Sequence, residues 1–477
     1  MKRAMLFLVA ALTVSASAAL LSPAVASSAP RMYVGFHDDV AFRWNPNRTE
    51  VLDQARGANA TIVRTLVDWS KTAPTRPANA TNSFDPAYRF DDVDELVRNA
   101  QARGLEVLIT IWGTPKWANG GKTPNFMPRR LSDLTAFSRA VASRYSGRFG
   151  GYPYVRFYSI WNESNLQLFL APQFDAKGRS VAPRNYAKLA AAAYAGIKAG
   201  NSSAKVAVGS TSSAGRDKPL AGKSATHSPG RFAQLVAAAN PRLKFDAWAQ
   251  HPYPVPARMK PLQKVKWPNV TLSAFPRFEQ SLDKWFKRKN VRIWITEYGH
   301  EVKQDGEPNG ISRSLQATYL AQALALARKD TRTDVFIWFV FRDHRTSLWQ
   351  SGLRTRSGAA KPSLARFRAG ARLVDARNPL VKVRSSIMSP TVTVPLRQYG
   401  AGTKPGESVG FNVTIREKGR LIRSLQPAAP FRVDTTVPVR LLGFRPAKGR
   451  TYTVKVDANV FSGGGVVLSR TLTLVGI

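Results

Sequence analysis

The 477-residue chain contains no cysteine and only five histidines. Without cysteine there is no disulfide framework, thiolate metal site, iron–sulfur cluster or cysteine nucleophile. No two histidines lie within four residues of each other, so the paired zinc ligands of a helical metalloprotease motif are also missing. We therefore expect neither a metal site nor another cofactor.

Acidic residues are scarce compared with basic ones. Asp and Glu number 30 against 71 Lys and Arg, which gives a net charge of +41, while 44% of the residues are hydrophobic, as in a globular protein. Such a charge attracts anionic partners, for example an acidic glycan or a cell-wall polymer. Nucleic acid is not expected, because no nucleic-acid-binding module is recognisable and the basic residues are spread along the chain.

The charge predicts how the protein binds to an anionic support. We expect retention on an anionic polysaccharide or cell-wall preparation at low ionic strength, and release as salt rises, because dissolved ions screen exposed charges. Elution across a salt gradient measures this. Retention that does not respond to salt, or no retention, would contradict an electrostatic origin.

Long hydrophobic runs are absent after the N-terminus, where no segment has 18 consecutive apolar residues, so we predict no transmembrane segment. At the N-terminus itself, Lys2 and Arg3 precede an apolar stretch, and Ala24-Val25-Ala26 offers small residues of the kind that signal peptidase cleaves. Residues 1–26 are therefore predicted to be a signal peptide. The mature protein is expected to be secreted, extracellular or cell-wall associated, and its oligomeric state is not predicted.

Eight short apolar runs alternate with helical stretches from Met32 to about Asp375. The runs are Met32–Phe36, Thr61–Val67, Leu105–Trp112, Val155–Trp161, Lys205–Gly209, Phe245–Gln250, Val291–Thr296 and Val335–Phe341. They are rich in Val, Ile, Phe and Trp with little charge, as in strands that are buried on both faces. No glycine-rich phosphate loop follows the first run. The pattern predicts an α/β fold, a (β/α)8 TIM barrel over residues 27–378, rather than a dinucleotide-binding fold.

The remainder of the chain has a different pattern. From about Thr391, short segments of alternating apolar and polar residues recur with turns between them, for example Thr391–Val394, Gly410–Ile415 and Thr451–Val456. Short strands at intervals of about ten residues are typical of a β-sandwich of immunoglobulin-like size. We predict such a C-terminal domain over residues 391–477, joined to the barrel by a linker at 379–390.

Two glutamates directly follow hydrophobic runs. Trp161-Asn162-Glu163 ends the fourth run and Thr296-Glu297-Tyr298-Gly299 ends the seventh. In a (β/α)8 barrel, catalytic residues lie at the C-terminal ends of the strands. Two carboxyl groups that face each other can cleave a glycosidic bond, one as the acid and the other as the nucleophile. A single glutamate at a strand end is most often a solvated loop residue, but the joint occurrence on runs four and seven favours catalysis.

These two motifs resemble the signatures of clan A glycoside hydrolases, which are retaining (β/α)8 enzymes. Within the clan the sequence most resembles family 39-like secreted endoglycosidases. Further matching segments are Gly113–Ala118, Gln250–Tyr253, Trp338-Phe339 and Arg342-Asp343. The resemblance covers roughly residues 32–376 and does not specify a substrate. One departure is Ser164, which stands where the family usually has a proline after the acid/base glutamate.

The resemblance implies roles for individual residues. Glu163 corresponds to the acid/base and Glu297 to the nucleophile. Asn162 corresponds to the residue that hydrogen-bonds the 2-hydroxyl of the sugar, and Arg64 to the arginine that keeps the nucleophile ionised. For Arg64, a structural ion pair with Asp68 or Asp94 is the alternative. The two carboxyl groups are expected to lie about 5–5.5 Å apart, as in retaining enzymes.

Four further residues are expected to bind substrate. His251 and Tyr253 correspond to the pair after the sixth strand, although His251 is equally compatible with a packing role. Trp338 is expected to form the aromatic floor under the sugar, and Trp117 to contribute to the cleft. Both tryptophans could instead belong to the hydrophobic core, where most aromatic residues lie.

The sequence thus predicts a secreted retaining glycosidase that acts on a polysaccharide by double displacement. Two alternatives stay open: a non-catalytic protein that binds cell wall or anionic glycan on a glycosidase scaffold, with Ser164 as a sign of lost activity, and a transglycosylase that uses the same carboxylates. The presence of both glutamates together with Asn162 and Arg64 favours an enzyme. The sugar, the linkage and endo or exo action depend on loop shape and are not predicted.

Overall fold

The computed structural model describes residues 32–256, 258–345, 349–375, 380–395, 408–430, 436–460 and 466–477. Eight parallel strands close into a barrel in chain order. They are β1 Tyr33–His37, β2 Ile62–Asp68, β3 Glu106–Trp112, β4 Phe157–Ile160, β5 Lys205–Thr211, β6 Ala247–Gln250, β7 Arg292–Tyr298 and β8 Thr333–Phe339. Each overlaps one of the predicted runs, so the (β/α)8 barrel is confirmed. The predicted signal peptide lies outside the described residues.

Helices on the outside of the barrel connect the strands. They are α1 Asp39–Phe42, α2 Arg48–Gly57, α3 Trp69–Thr72, α4 Asp91–Ala102, α5 Lys116–Asn119, α6 Leu131–Arg144, α7 Ala182–Gly200, α8 Pro229–Ala239, α9 Phe275–Trp285, α10 Arg313–Lys329 and α11 Pro362–Asp375. Ser312 caps α10 by accepting a hydrogen bond from the amide of Leu315 at 3.2 Å. Within the described ranges, none of these helices combines the length and apolar character that crossing a bilayer requires.

Side chains alternate between two hydrophobic layers along the barrel strands. One layer fills the barrel interior and includes Ile62, Leu108, Val335 and Ile337, while the intervening residues pack outward against the helices. Because the side-chain period of a strand is two, the next inward position above Ile62 is Arg64. The polar site therefore lies directly above the apolar layer that fills the barrel interior.

Two sheets form the C-terminal region and share one hydrophobic cluster, as in a β-sandwich. The first has two strands, β10 Thr391–Pro395 and β14 Thr436–Arg440. The second contains β9 Leu380–Val383, β11 Ser408–Glu417, β12 Arg420–Leu425, β13 Ala428–Pro430, β15 Thr451–Val460 and β16 Val466–Gly476. Its strand order is β12-β11-β15-β16-β9, and β13 also pairs with β11.

Strand β9 lies inside the segment 379–390 that the sequence analysis assigns to a linker. It pairs in parallel with β16, with Val381 opposite Leu474, and Val381 and Val383 are buried in the shared cluster. The C-terminal sheet therefore begins within the expected linker. Four residues with two buried valines are too short a pattern for alternation to identify.

Candidate active site

Arg64 is the centre of a buried polar network at the C-terminal end of the barrel. Its guanidinium group donates to a carboxylate oxygen of Glu297, to Oδ1 of Asn162 at 2.9 Å and to the hydroxyl of Thr110 at 2.9 Å. Nδ1 of His37 lies 2.8 Å from the same guanidinium group. These contacts join β1, β2, β3 and β7 with the loop after β4. The alternative ion pairs of Arg64 with Asp68 or Asp94 do not form.

Glu297 is 92% buried and is held as a carboxylate. Burial alone would raise the pKa of Glu297, but electrostatic interactions with His251 and with the guanidinium group of Arg64 hold it well below its usual range. The phenol of Tyr253 donates to the other oxygen of Glu297 at 2.9 Å. Burial together with the carboxylates of Glu297 and Glu163 raises the pKa of Tyr253 well above its ordinary value, so the phenol keeps its proton.

Glu163 faces Glu297 across the barrel mouth. One carboxylate oxygen of each glutamate and a ring nitrogen of His251 all lie within 4.8 Å of one another. This agrees with the short carboxyl separation of retaining glycosidases rather than the roughly 6.5–9.5 Å of inverting enzymes. Trp161 and Glu163 have φ values of 67° and 34°, a left-handed conformation that turns the chain sharply after β4.

His251 connects the two carboxylates. Its Nδ1 lies 3.1 Å from Glu163 and 3.5 Å from Glu297, and the ring is fully buried. Both His251 and Tyr253 therefore reach the glutamates directly, as the resemblance implies. The alternative of a histidine that merely packs beside Pro252 does not account for these contacts.

The same three groups are the one arrangement among the described residues that satisfies the geometry of a metal site, with Glu163, His251 and Glu297 as ligands. Arg64 already neutralises Glu297, however, and its guanidinium group would repel a cation placed beside that carboxylate. The chemistry of the donor set thus fits a pair of reacting carboxyl groups better than it fits a metal ion.

The prediction for Trp338 is wrong. Val335 and Ile337 point into the barrel, so Trp338 points outward, where it is fully buried and donates its indole N–H to the carbonyl of Ser351 at 2.9 Å. The next inward position on β8 is Phe339, which is only partly buried and whose ring centroid lies 5.2 Å from that of His37. Phe339 is thus the aromatic side chain that β8 offers to the cleft.

Trp117 has a structural environment. Its indole N–H donates to the carbonyl of Ala73 at 2.8 Å, its ring packs edge-on against Trp69, and the guanidinium group of Arg76 lies 4.2 Å above it. Among the described residues, these contacts of Trp117 involve neither Glu163 nor Glu297. The partly exposed ring borders the loop after β3, but it is not brought together with the other predicted site residues.

His37 is a site residue that sequence reasoning did not assign to the catalytic network. Its Nδ1 lies 3.5 Å from Glu297, and its Nε2 lies 3.7 Å from Asp39. The signal was present, because His37 is a polar residue that ends the first strand in phase with the inward-facing Tyr33. The resemblance offered no matching motif on that strand, and only the register shows that the ring points inward.

The buried pair of Arg64 and Glu297 gives a prediction for stability. Arg64→Gln should lower the free energy of unfolding by about 3 kcal/mol at pH 7, because it leaves the Glu297 carboxylate buried without its counter-charge. The double variant Arg64→Gln/Glu297→Gln should lose less than the sum of the two single variants, since both charges are then gone. Guanidinium denaturation measures the free energy of unfolding of wild type, of each single variant and of the double variant. Additive losses would contradict a direct pair.

The loss of stability caused by Arg64→Gln should depend on pH with a definite sign. The pKa of Glu297 is depressed in the folded protein, so its ionisation stabilises the fold above the unfolded pKa of about 4.3, and this contribution is lost as the pH falls through the folded pKa. The difference between wild type and Arg64→Gln should therefore shrink as the pH falls towards the depressed folded pKa of Glu297. A difference that stays constant or grows towards acid pH would contradict the charge interaction.

Comparison with known proteins places the chain in a family. A family model described as Cellulase (glycosyl hydrolase family 5) matches residues 30–342, which include all eight barrel strands and both glutamates. This match covers more than half of the chain. A search of curated proteins finds no match.

Several solved structures share the fold. A family 39 glycoside hydrolase from Bacteroides cellulosilyticus is 17% identical, with 87% of this chain and 79% of that chain covered and a TM-score of 0.52. A glucosidase from Croceicoccus marinus is 13% identical, with 88% and 94% covered and a TM-score of 0.54. The GH5_18 structure from Streptomyces cattleya in complex with GlcNAc is 15% identical, with 75% and 85% covered and a TM-score of 0.54.

At these identities the likeness between the structures concerns the fold alone, and the family model carries the assignment. The prediction of a clan A glycoside hydrolase is confirmed: the matching family model is family 5, and a family 39 enzyme is among the similar structures. The chain belongs to the cellulase family, glycosyl hydrolase family 5, and is a retaining glycoside hydrolase.

Proposed function

We propose that this protein is a secreted enzyme that hydrolyses O-glycosidic bonds in a polysaccharide, with Glu297 as the nucleophile and Glu163 as the general acid and base. The observation that carries the proposal is the approach of the two carboxyl groups within 4.8 Å around His251, with Glu297 alone paired to Arg64. This asymmetry assigns different tasks to two residues of the same type.

In the first step, the ionised carboxylate of Glu297 attacks the anomeric carbon while Glu163 gives its proton to the departing glycosidic oxygen. A bond forms between a carboxylate oxygen and the anomeric carbon, the glycosidic C–O bond breaks, and the leaving sugar departs as an alcohol. Arg64 and Tyr253 orient the two oxygens of Glu297 before the attack, so the nucleophile is positioned in advance.

In the second step, the carboxylate of Glu163 takes a proton from a water molecule, which attacks the anomeric carbon from the face that the leaving group vacated. Glu297 is released as a carboxylate. Because each step inverts the anomeric carbon once, the product keeps the configuration of the substrate. His251, 3.1 Å from Glu163, keeps this side chain directed at the cleft in both steps.

Asn162 is oriented for substrate binding by its contact with Arg64. Its Oδ1 accepts from the guanidinium group at 2.9 Å, so the amide nitrogen with its two hydrogens is the end directed elsewhere. A side-chain amide that donates can hold a hydroxyl group of the sugar, in accordance with the role that the resemblance implies. Removal of Arg64 would free the amide to rotate and lose this preference.

The polymeric substrate and the secretion are supported by the sequence. The predicted signal peptide directs export, and the net charge of +41 favours association with an acidic glycan or wall polymer. Long loops at the barrel mouth, such as Gln167–Pro183 and Thr211–Ser228, are of the kind that shape an extended cleft.

Covalent trapping tests the proposal. A panel of 2-deoxy-2-fluoro glycosides with good leaving groups should inactivate the enzyme with one stoichiometric label. Fluorine slows both steps by destabilising their oxocarbenium-like transition states, and the good leaving group speeds only the first, so the glycosyl-enzyme accumulates. Peptide mapping by mass spectrometry should place the label on Glu297, and Glu297→Gln should take up none. A label on any other residue would contradict the assignment.

Product analysis separates hydrolysis from glycosyl transfer. Reducing ends released from a panel of polysaccharides, measured with and without an added acceptor sugar, show whether water or sugar reaches the glycosyl-enzyme. We expect release of reducing ends without an acceptor. Transfer of glycosyl units to the acceptor without release of reducing ends would establish a transglycosylase instead.

A further inference from the structure

A cavity of about 430 Å³ lies between the loops that follow β1 and β8. Asp38, which follows β1, lines one side, and Arg342 and Arg345, which follow β8, line another. The residue before Asp38 is His37, which lies 3.5 Å from Glu297. We call this space the rim cavity. The wall therefore contains Asp38, the sequence neighbour of His37, whose ring lies close to the proposed nucleophile Glu297.

The rim cavity is lined by arginines that have no carboxylate partner among the residues the structure describes. Arg342 donates to the carbonyl of Arg356 at 3.1 and 2.6 Å, and Arg356 donates to the carbonyl of Asp305 at 3.3 Å. Within the parts of the chain that the structure describes, neither of them, nor Arg345, forms an ion pair. A guanidinium group has five N–H donors in a planar fork, so these side chains retain donors for a ligand.

The two carboxyl groups on the wall are held by other partners. Asp38 accepts from the backbone amides of Ala41, Phe341 and Arg342 at 3.0–3.1 Å, which ties the loop after β1 to the loop after β8. Asp343 accepts from the amide of Gly352 at 2.8 Å, and its other oxygen lies 2.5 Å from the buried ammonium group of Lys361.

These carboxyl groups therefore build the rim cavity rather than neutralise its arginines. Both carboxylate oxygens of Asp38 accept hydrogen bonds from main-chain amides, and Asp343 is paired with the ammonium group of Lys361. The charged side chains left to meet an incoming ligand are three guanidinium groups. The lining is thus cationic in a space large enough for part of a sugar unit.

We propose that the rim cavity binds an anionic substituent, a carboxylate or a phosphate or sulfate ester, on a sugar unit of the substrate next to the cleaved bond. The enzyme would then select acidic polysaccharides. Arginine forks match the geometry of carboxylate and phosphate oxygens and bind both in a bidentate manner. This inference rests on the proposed function, because it makes the cavity a subsite of the same cleft.

Binding can be measured without turnover in the full-length Glu297→Gln variant. The probes are glucuronate, glucose 6-phosphate, glucose 6-sulfate and, as the neutral control, glucose, titrated at low ionic strength in a calorimeter. At least one anionic probe should bind about tenfold or more tightly than glucose, as charge-assisted hydrogen bonds imply. The preference between glucuronate and the esters identifies the anion. Equal binding of glucose and all three anions would overturn the proposal.

A matched pair of variants separates the rim cavity from the general charge of the protein. In the first, Arg342, Arg345 and Arg356 are each replaced by Gln in the Glu297→Gln background, and binding of the anionic probe should weaken about tenfold or more. In the control, the exposed Arg98, Arg184 and Arg242 are replaced by Gln, which lowers the net charge equally. The control should change binding less than about twofold, as expected for distant surface charges. Equal losses in both would contradict the cavity.

Two further measurements keep the test decisive. Arg345 is exposed and its side chain forms no hydrogen bond among the described residues, so Arg345→Gln should not affect folding. If the triple variant does not fold, this single variant should still weaken binding of the anionic probe. Covalent labelling of wild type distinguishes the two proposals. A label on Glu297 without anion binding overturns only the rim cavity. Binding that depends on the cavity arginines, without a label, overturns the mechanism and leaves the anion site standing.

Discussion

Replacing Glu297 by Gln is expected to lower kcat on the polysaccharide substrate by about 10⁴-fold or more, with little change in KM. Glutamine is nearly isosteric with glutamate. Its amide oxygen can accept from Arg64 and its amide nitrogen can donate to the phenol oxygen of Tyr253, so substrate binding should persist. Its amide oxygen is a far weaker nucleophile than a carboxylate, so the glycosyl-enzyme cannot form at a useful rate. Initial rates of reducing-end release from purified wild type and variant measure the effect.

A matched control for this change is Glu301→Gln. Glu301 lies four residues further along the same chain segment and is partly exposed, and its carboxyl group has no described contact with Glu163 or Arg64. It should retain activity within about threefold, as expected of a surface substitution away from the reacting atoms. If Glu297→Gln kept near-normal turnover, or if Glu301→Gln lost as much, the assignment of the nucleophile would be wrong. Thermal melting of both variants excludes misfolding.

The barrel could be predicted because its strands are buried on both faces. A parallel strand between a packed interior and a layer of helices must be apolar along its whole length, so each strand appears in the sequence as an uninterrupted run. The strand ends then locate the polar site. Glu163 and Glu297 could be found for the same reason, because the joint occurrence of a carboxylate directly after runs four and seven brings two such groups to the same end of the barrel.

The direction of individual side chains was harder to predict. Trp338 and Phe339 are adjacent aromatics on β8, and a shift of one residue exchanges the side chain that faces the cleft with the one that faces the helices. In a strand buried on both faces, no polar residue marks the phase. Burial of Val335 and Ile337 in the barrel interior decides it. The sequence shows that an aromatic side chain is present at the mouth, and the register shows which.

The contacts among distant residues were predictable only through resemblance. Arg64 reaches residues on four other parts of the barrel, and nothing in its sequence neighbourhood distinguishes these partners from Asp68 or Asp94. The rim cavity could not be predicted from the sequence at all. Its arginines are three of 71 basic residues, and only the folded loops show that they converge on one cavity without an ion-pair partner among the described residues.

Replacing Glu163 by Gln is expected to affect the two chemical steps differently according to the substrate. On the polysaccharide, whose leaving group is a poorly acidic sugar hydroxyl, kcat should fall by about 10²–10⁴-fold, the usual contribution of general acid–base catalysis. On an aryl glycoside of the same sugar with a nitrophenolate leaving group, the first step needs little protonation. It should therefore remain fast while the second step becomes rate-limiting, because no base activates water. Stopped-flow measurement should then show a burst of nitrophenolate.

Added azide makes this prediction specific for an acid/base residue. Azide is already an anion and needs no base, so it should attack the glycosyl-enzyme of Glu163→Gln, restore the steady-state rate on the aryl glycoside and form a glycosyl azide with retained configuration. The polysaccharide should gain nothing from azide, because its first step still lacks a proton donor. Glu297→Gln should show neither the burst nor a retained azide product. Loss of activity on both substrates without azide rescue would assign Glu163 a structural role, which its position 3.1 Å from His251 at the mouth of the cleft does not suggest.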